Sequence, residues 1–282
     1  MRFLACGPRR LPLDRPLVMG IVNVTADSFS DGGRFLETGR AVDHGLALAA
    51  EGADIVDVGG ESTRPGAEPV SLDEELARVV PVVEALARQG LVVSVDTMKP
   101  GVMRAAVAAG AVLVNDVNGF RAEGAVEALA DGTAAACIMH MQGTPATMQA
   151  DPQYGDVVKE VGRFLAARAE ALEAAGIGRE RILVDPGFGF GKTTAHNLAL
   201  LRNLRHLATL GWPLLAGLSR KRLIGEITGR PLDDRVAGSV AAALVAVQNG
   251  AALVRVHDVK PTVDALKVWA AVAQSGPGGS RA

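Results

Sequence analysis

The 282-residue sequence predicts one (β/α)8 barrel, the TIM-barrel architecture, and three observations carry that expectation. Eight short runs rich in Val, Ile and Leu recur about every 20 to 40 residues, each followed by a longer stretch of helical spacing, the pattern of repeated β/α units. Nearly all of those runs end on polar residues. The length is close to the ~250 residues typical of that fold, leaving little room for a second domain.

The expected strands are residues 17–23, 54–59, 92–96, 111–116, 134–140, 181–185, 214–218 and 252–257, with amphipathic helices between them. Helix punctuation agrees. Ser71 followed by Glu74 reads as a capping box, and Gly110, Gly132, Gly176 and Gly250 fall where helices should stop before a strand. Residues 1–15 read as a lead-in segment, 16–273 as the barrel, and 274–282 as a flexible Gly/Ser-rich tail. The uncharged stretch 236–254 is long enough for a membrane span. It contains Gly238, Ser239, Gln248 and the helix-stopping pair Asn249-Gly250, so a buried helix followed by a strand is expected.

Composition narrows the function. With 49% hydrophobic residues the chain can bury a large core, and a net charge of −2 with no basic block beyond Arg220-Lys221-Arg222 speaks against a nucleic-acid partner. A small-molecule substrate and no membrane partner are expected. Two cysteines, Cys6 and Cys137, argue for a reducing compartment and against a disulfide framework. The first sixteen residues carry Arg2, Arg9, Arg10 and three prolines without the apolar segment of a signal peptide, so a cytoplasmic location is expected.

The strand ends are Asn23, Asp57 with Gly59-Gly60, Asp96, Asn115, Met139-His140, Asp185, Ser219 and Arg255 with His257. In a β/α barrel these positions gather on the rim where enzymes of this fold keep their chemistry. Period-two alternation sends Val93, Val95, Val254 and Val256 toward the helices, and Ser94, Asp96, Arg255 and His257 toward the barrel interior and mouth. Such charges must pair with one another, as a structural network, or with a ligand.

Two polar, glycine-rich loops, TADSFSDGGR at 25–34 and ESTRPGAEP at 61–69, are long enough to have a function. The segment DPGFGFGKT at 185–193 is no P-loop, because Pro186 stands where the first glycine is required. Its glycines allow a sharp turn beneath a ligand, with Phe188 or Phe190 offering an aromatic face. His44, His196 and His206 lack metal-ligand spacing, and Cys137 reads as a small buried apolar group.

Taken in order, MGIVNVTADSFSDGG (19–33), DVGGESTRPGA (57–67), VSVDT (93–97), VNDVNGF (114–120), MHMQGTPATMQ (139–149), DPGFGFGKT, GLSRKRLIG (217–225) and RVHDV (255–259) closely resemble the dihydropteroate synthase family of the folate pathway. The resemblance covers nearly the whole chain. Ala26 departs from it, standing where the family usually has proline; the change removes no functional group.

The resemblance implies condensation of 6-hydroxymethyl-7,8-dihydropterin diphosphate with p-aminobenzoate, releasing pyrophosphate with Mg²⁺. It implies a pterin pocket of Asp96, Asn115, Asp185 and Lys221, with Met139, Val117 and Ile21 on the ring faces. Asp185 suits the pyrimidinone edge, whose adjacent N–H donors a carboxylate accepts in parallel, while Lys221 donates to the ring carbonyl or N5. Asn23, Thr63, Arg64, Arg255 and His257 would hold the diphosphate, and Asn23, with Asp27 or Asp31 as additional candidates, the Mg²⁺. Ser219, Arg64, Pro65, Phe190 and Lys221 would surround p-aminobenzoate. The catalytic set would be Lys221, Arg255, His257, Asp96 and Asp185. The uncharged seventh helix and the resemblance together suggest a homodimer. A methyl-transferring pterin barrel would share Asp96, Asn115 and Asp185 but would need no diphosphate site; Thr63-Arg64, Ser219-Arg220-Lys221 and Arg255-x-His257 speak against it.

Overall fold

The computed structural model describes residues 2–24, 31–63 and 68–274, with side chains for all of these except 31–36 and 274. Ten strands appear among them: β1 (Phe3–Cys6), β2 (Arg9–Pro12), β3 (Leu17–Asn23), β4 (Ile55–Gly59), β5 (Val93–Asp96), β6 (Leu113–Asp116), β7 (Ala135–Met139), β8 (Ile182–Asp185), β9 (Leu215–Ala216) and β10 (Leu253–Val256). The helices are α1 (Asp31–Ala50), α2 (Leu72–Arg88), α3 (Pro100–Ala108), α4 (Glu127–Ala130), α5 (Val157–Ala174), α6 (Thr194–Arg202), α7 (Leu204–Ala208), α8 (Arg222–Thr228), α9 (Val236–Gln248) and α10 (Val259–Gln274).

Strands β3 to β10 form one parallel eight-stranded sheet in the order β8-β7-β6-β5-β4-β3-β10-β9. A parallel bridge between Val184 and Leu214 brings its two edges together, so the sheet closes as the expected barrel. The closing strand is shorter than the sequence suggests. Just before it, the Pro213 and Leu214 carbonyls complete the ladder: Val184 N–H donates to Pro213 O at 2.9 Å, and the Ala252 and Leu253 N–H groups both donate to Leu214 O at 2.8 and 3.0 Å.

Each barrel strand sorts its side chains by alternation. Val18, Val56, Val95, Val114, Ile138 and Val254 face outward and pack under the helices in the main core. Leu17, Met19, Ile55, Leu113, Leu183 and Leu253 face inward and fill the lower barrel. Residues of the lead-in segment join this inner core: β1 and β2 form an antiparallel hairpin in which Leu4 and Cys6 are fully buried against the inward leucines. Leu4 and Cys6 alternate with partly exposed Phe3 and Ala5, the period of a half-buried strand. The hairpin seals the N-terminal mouth with apolar surface.

The stretch 236–254 resolves into α9 and the start of β10, as its composition predicts. Among the described residues no helix is long and apolar enough to cross a membrane. Of the capping box expected at α2, one half forms: Ser71 Oγ accepts from the Glu74 N–H at 3.2 Å, while the Glu74 carboxylate turns to Arg78 at 2.5 Å. A reciprocal box occurs instead at α6, with Thr193 and His196 exchanging both bonds; a histidine in the third position hid it from sequence reading.

Candidate active site

Because inward positions recur every second residue, the layer above the apolar floor is built from the next inward residues: Ile21 and Asn23 on β3, Asp57 on β4, Asp96 on β5, Asn115 on β6, Met139 on β7, Asp185 on β8 and Arg255 on β10. Strand register sets Ile21 beside Asp57 and Asp96 beside Asn115. The same register sets Met139 beside Asp185.

Arg255 is the centre of this layer. Its Nε donates to Asp57 Oδ2 at 2.6 Å and its Nη2 to Asp96 Oδ2 at 2.7 Å, and Asn115 Nδ2 donates to the same Asp57 oxygen at 3.2 Å. Burial works to lower the Arg255 pKa, but the charges of Asp57 and Asp96 outweigh it and hold the guanidinium firmly protonated. Burial pushes the Asp96 carboxyl up to about 7, with Arg255 pulling the other way. Asp57 is fully buried, and among the described residues its Oδ1, with Asn115 Oδ1 and Ser94 Oγ, has no hydrogen-bond partner. Buried acceptors left open beneath a mouth are costly unless a donor-bearing ligand or water meets them. The internal ion-pair network that the sequence left open therefore exists, and it lies under a polar surface that is not yet satisfied.

The opposite wall comes from β8 and the turn after β9. Asp185 is 4% exposed, and its Oδ1 accepts from the Gly187 N–H at 2.7 Å. Its pKa is raised by burial and drawn back by Lys221 and by that N–H. Lys221 follows Arg220, which takes a left-handed backbone (φ 56°) rare for a side-chain-bearing residue. The strain is held by neighbours: the Arg220 N–H donates to Ser239 Oγ at 2.9 Å, and its guanidinium grips Asp258 at 2.9 and 2.6 Å. The turn aims Lys221 inward, where its ammonium donates to Phe188 O and stands 4.6 Å from the centre of the Phe190 ring. Burial lowers its pKa to about 8, against the pull of Asp185. Convergence is direct at Gly217: a Cβ there would stand 3.8 Å from Lys221 Nζ and 3.9 Å from both Asp185 Oδ2 and Arg255 Cβ.

Apolar faces come from Val117 and Met139, which cluster with Met141 and Met148, with Met98 and Phe190 packed alongside. Of the two candidate aromatics, Phe190 belongs to this site, whereas Phe188 is fully buried in the outer core under the helices. Ser219 and His257, assigned by the resemblance to different substrates, are in contact: Ser219 Oγ lies 3.0 Å from His257 Nδ1 and accepts from the His257 backbone N–H at 3.1 Å. Asn23 is exposed at the end of β3, and Thr63 stands at the end of the described part of the second loop. Arg64, Pro65 and Asp27 lie outside the described residues, as does the side chain of Asp31.

Sequence reading marked Asp57 only as a polar strand end and did not place it in the pocket; its identity as an inward, polar residue two positions above Ile55 was the available signal. It also missed Lys192. That ammonium is 3% exposed and donates to Gly187 O and Phe190 O at 2.9 Å, with His140 Nδ1 at 2.9 Å, clamping the 185–193 segment. Burial lowers the Lys192 pKa well below its usual value and, with the Lys192 charge, drops His140 to about 3. Gly187 has φ +68°, and a Cβ there would fall 1.9 Å from His140 O, so the segment can close over β7 only without a side chain at that position.

A closed barrel whose rim brings carboxylates, a lysine and an arginine together beside a methionine-rich apolar cluster defines a class: enzymes that bind a planar, donor-rich heterocycle at the C-terminal rim. Residues 19–257 match the family model described as pterin binding enzyme. A dihydropteroate synthase of Neisseria meningitidis serogroup B is 53% identical over 273 residues, covering 94% of this chain and 96% of the relative. Two solved structures are similar: a Xanthomonas albilineans dihydropteroate synthase with 4-aminobenzoic acid (60% identity, TM-score 0.91, 98% of this chain and 99% of that one), and a Burkholderia cenocepacia dihydropteroate synthase complexed with 7,8-dihydropteroate (54% identity, TM-score 0.89, 97% of each). The chain belongs to the pterin-binding enzymes, in the dihydropteroate synthase family.

Proposed function

We propose that this chain joins 6-hydroxymethyl-7,8-dihydropterin diphosphate to p-aminobenzoate, forming 7,8-dihydropteroate and pyrophosphate. The observation that carries the reading is the meeting of Asp185, Lys221 and Arg255 around Gly217, opposite Asp96 and Asn115, in a slot with apolar faces.

The pterin edge presents adjacent N–H donors to the Asp185 carboxylate, and further ring donors meet Asp96 and the open Asn115 Oδ1. Lys221 exchanges its bond to Phe188 O for the ring carbonyl or N5. Met139 and Val117 lie on the ring faces. Arg255, His257 and Asn23 face the diphosphate, together with Thr63 and Arg64 of the second loop. The C–O bond breaks with its electron pair leaving on the diphosphate, the ring spreads the positive charge left on the methylene, and the arylamine lone pair forms the new C–N bond. The amine then gives a proton to solvent. The transition state is loose and cation-like, so stabilising the departing negative charge is the main catalytic task, and no side-chain nucleophile is required. p-Aminobenzoate lies over Lys221 with its carboxylate toward Ser219, and Arg64, Pro65 and Phe190 are its other partners; sulfonamides of the same shape compete for that position.

Mg²⁺ fits the donor set. Asn23 offers an exposed amide with no side-chain partner among the described residues, and Mg²⁺ accepts one neutral protein oxygen when phosphate oxygens and waters supply the rest. Asn23 would hold the ion, which would supply positive charge toward the diphosphate. A homodimer through the apolar α9 face and a cytoplasmic location, consistent with two free thiols, complete the reading. The test is incubation of purified protein with the pterin diphosphate, p-aminobenzoate and Mg²⁺. Dihydropteroate and pyrophosphate should appear in equal amounts, and pterin binding without product would overturn the reaction.

A further inference from the structure

Beside the site, a second ionic cluster has no part in the chemistry above. Lys99, in the loop after β5, donates to the carboxylates of Glu61, at the root of the loop after β4, and Glu75, on the first turn of α2, the latter at 2.5 Å. Glu75 is fully buried and among the described residues its Oε1 has no hydrogen-bond partner, an arrangement that costs stability and calls for a reason. Burial works to lower the Lys99 pKa, but its bonds to the two glutamates outweigh it, so the ammonium stays charged.

The cluster sits at the only described approach to Thr63. Gly60 is pressed onto α2: Arg78 Nη1 donates to Gly60 O at 2.8 Å, and a Cβ on Gly60 would meet Val79 at 2.6 Å. Glu61 comes next and is tied to Lys99, whose backbone N–H is itself fixed by Thr97 Oγ1 at 3.2 Å, one residue past Asp96. A single ammonium therefore links the root of the second loop to the strand end that carries Asp96. Glu75 keeps that ammonium in place from below.

We infer that Lys99 is a positioning residue: by holding Glu61 it sets where the second loop leaves the barrel, and so where Thr63 meets the diphosphate. This rests on the reaction proposed above. It predicts a separation between substrates, because Asn115, Asp185 and Lys221, which hold the bare pterin ring, lie on β6, β8 and the turn after β9, away from Glu61 and Lys99, and Asp96 is held by Arg255.

The test uses the full chain and three variants. Lys99→Met should lower kcat/KM with both substrates on the order of ten- to a hundredfold, whereas affinity for 6-hydroxymethylpterin, which lacks the diphosphate, stays within about threefold. Lys99→Arg, which can still reach both carboxylates, should recover most of the loss. In Lys99→Met/Glu75→Gln the buried unpaired charge is gone, so Tm should return toward that of the parent while kcat/KM remains low. If kcat/KM recovers together with Tm in that double variant, or if bare-pterin affinity falls in step with kcat/KM in Lys99→Met, Lys99 only stabilises the fold and the inference is overturned. A parent chain that makes no dihydropteroate overturns the reaction, and this role with it; the variants overturn the role alone.

Discussion

The two ends of the barrel are made from the same strands and behave oppositely. At the N-terminal end, inward residues are Leu17, Ile55, Leu113 and Leu253, sealed by Leu4 and Cys6 of the hairpin. Two residues further along three of these strands, the inward positions are Asp57, Asn115 and Arg255, and among the described residues Asp57 Oδ1 and Asn115 Oδ1 have no hydrogen-bond partner. The lower half is packed as a protein interior is, with every contact made before any ligand arrives. The upper half holds charges in an arrangement fixed by the Arg255, Asp57 and Asp96 bonds, the kind of preorganisation that makes electrostatic catalysis effective. Stability and reactivity are thus separated along the barrel axis by one step of the strand period.

Substitutions at the two ends should divide accordingly, and the largest effect is expected at Asp185. Asp185→Asn sets an amide donor against the pterin donors and loses two charge-assisted bonds, so pterin affinity measured by calorimetry should fall about a thousandfold. Unchanged affinity would remove Asp185 from the ring edge. Lys221→Ala should reduce turnover by about a hundredfold, with Arg255→Ala at least as severe because it also strands Asp57 and Asp96. Near-normal turnover in either would mean that the reaction happens elsewhere.

At the sealed end the balance reverses. Leu4→Ala should cost about 2–5 kcal/mol of unfolding free energy in denaturant titrations, with kcat and KM of the folded protein unchanged. A loss of activity without a loss of stability would show that the hairpin reaches the rim chemistry after all.

The smallest effect is in the pH dependence of the unliganded protein. Asp96 titrates at about 7 in the fold and near 3.9 in the unfolded chain, so between those values the folded state binds more protons. Its contribution to stability is complete below about pH 4 and is lost as pH rises through about 7. In Asp96→Asn that slope should vanish. Equal slopes of Tm against pH for parent and variant, between about pH 4 and 7, would show that burial of Asp96 is relieved in solution.

Much of the barrel was legible because alternation and strand ends are local. Val93 and Val95 face the helices and Ser94 and Asp96 face inward, as the two-residue period requires. Phe188 and Phe190 could not be separated that way: they share a period but lie in a turn, where the chain path assigns one to the core and the other to the slot. The hairpin was hidden for a related reason, since four-residue strands carry too few repeats to announce a period.

The sequence by itself determined the eight units, their inward and outward faces and the residues on the rim, because backbone geometry repeats at fixed spacing. Only the tertiary structure decided the partners. It paired Arg255 with Asp57 and Asp96, set Ser219 against His257, and placed Lys99 between Glu61 and Glu75. Those bonds join residues as many as 198 positions apart, and whether two such groups fall within hydrogen-bond reach depends on barrel closure, which no local spacing encodes.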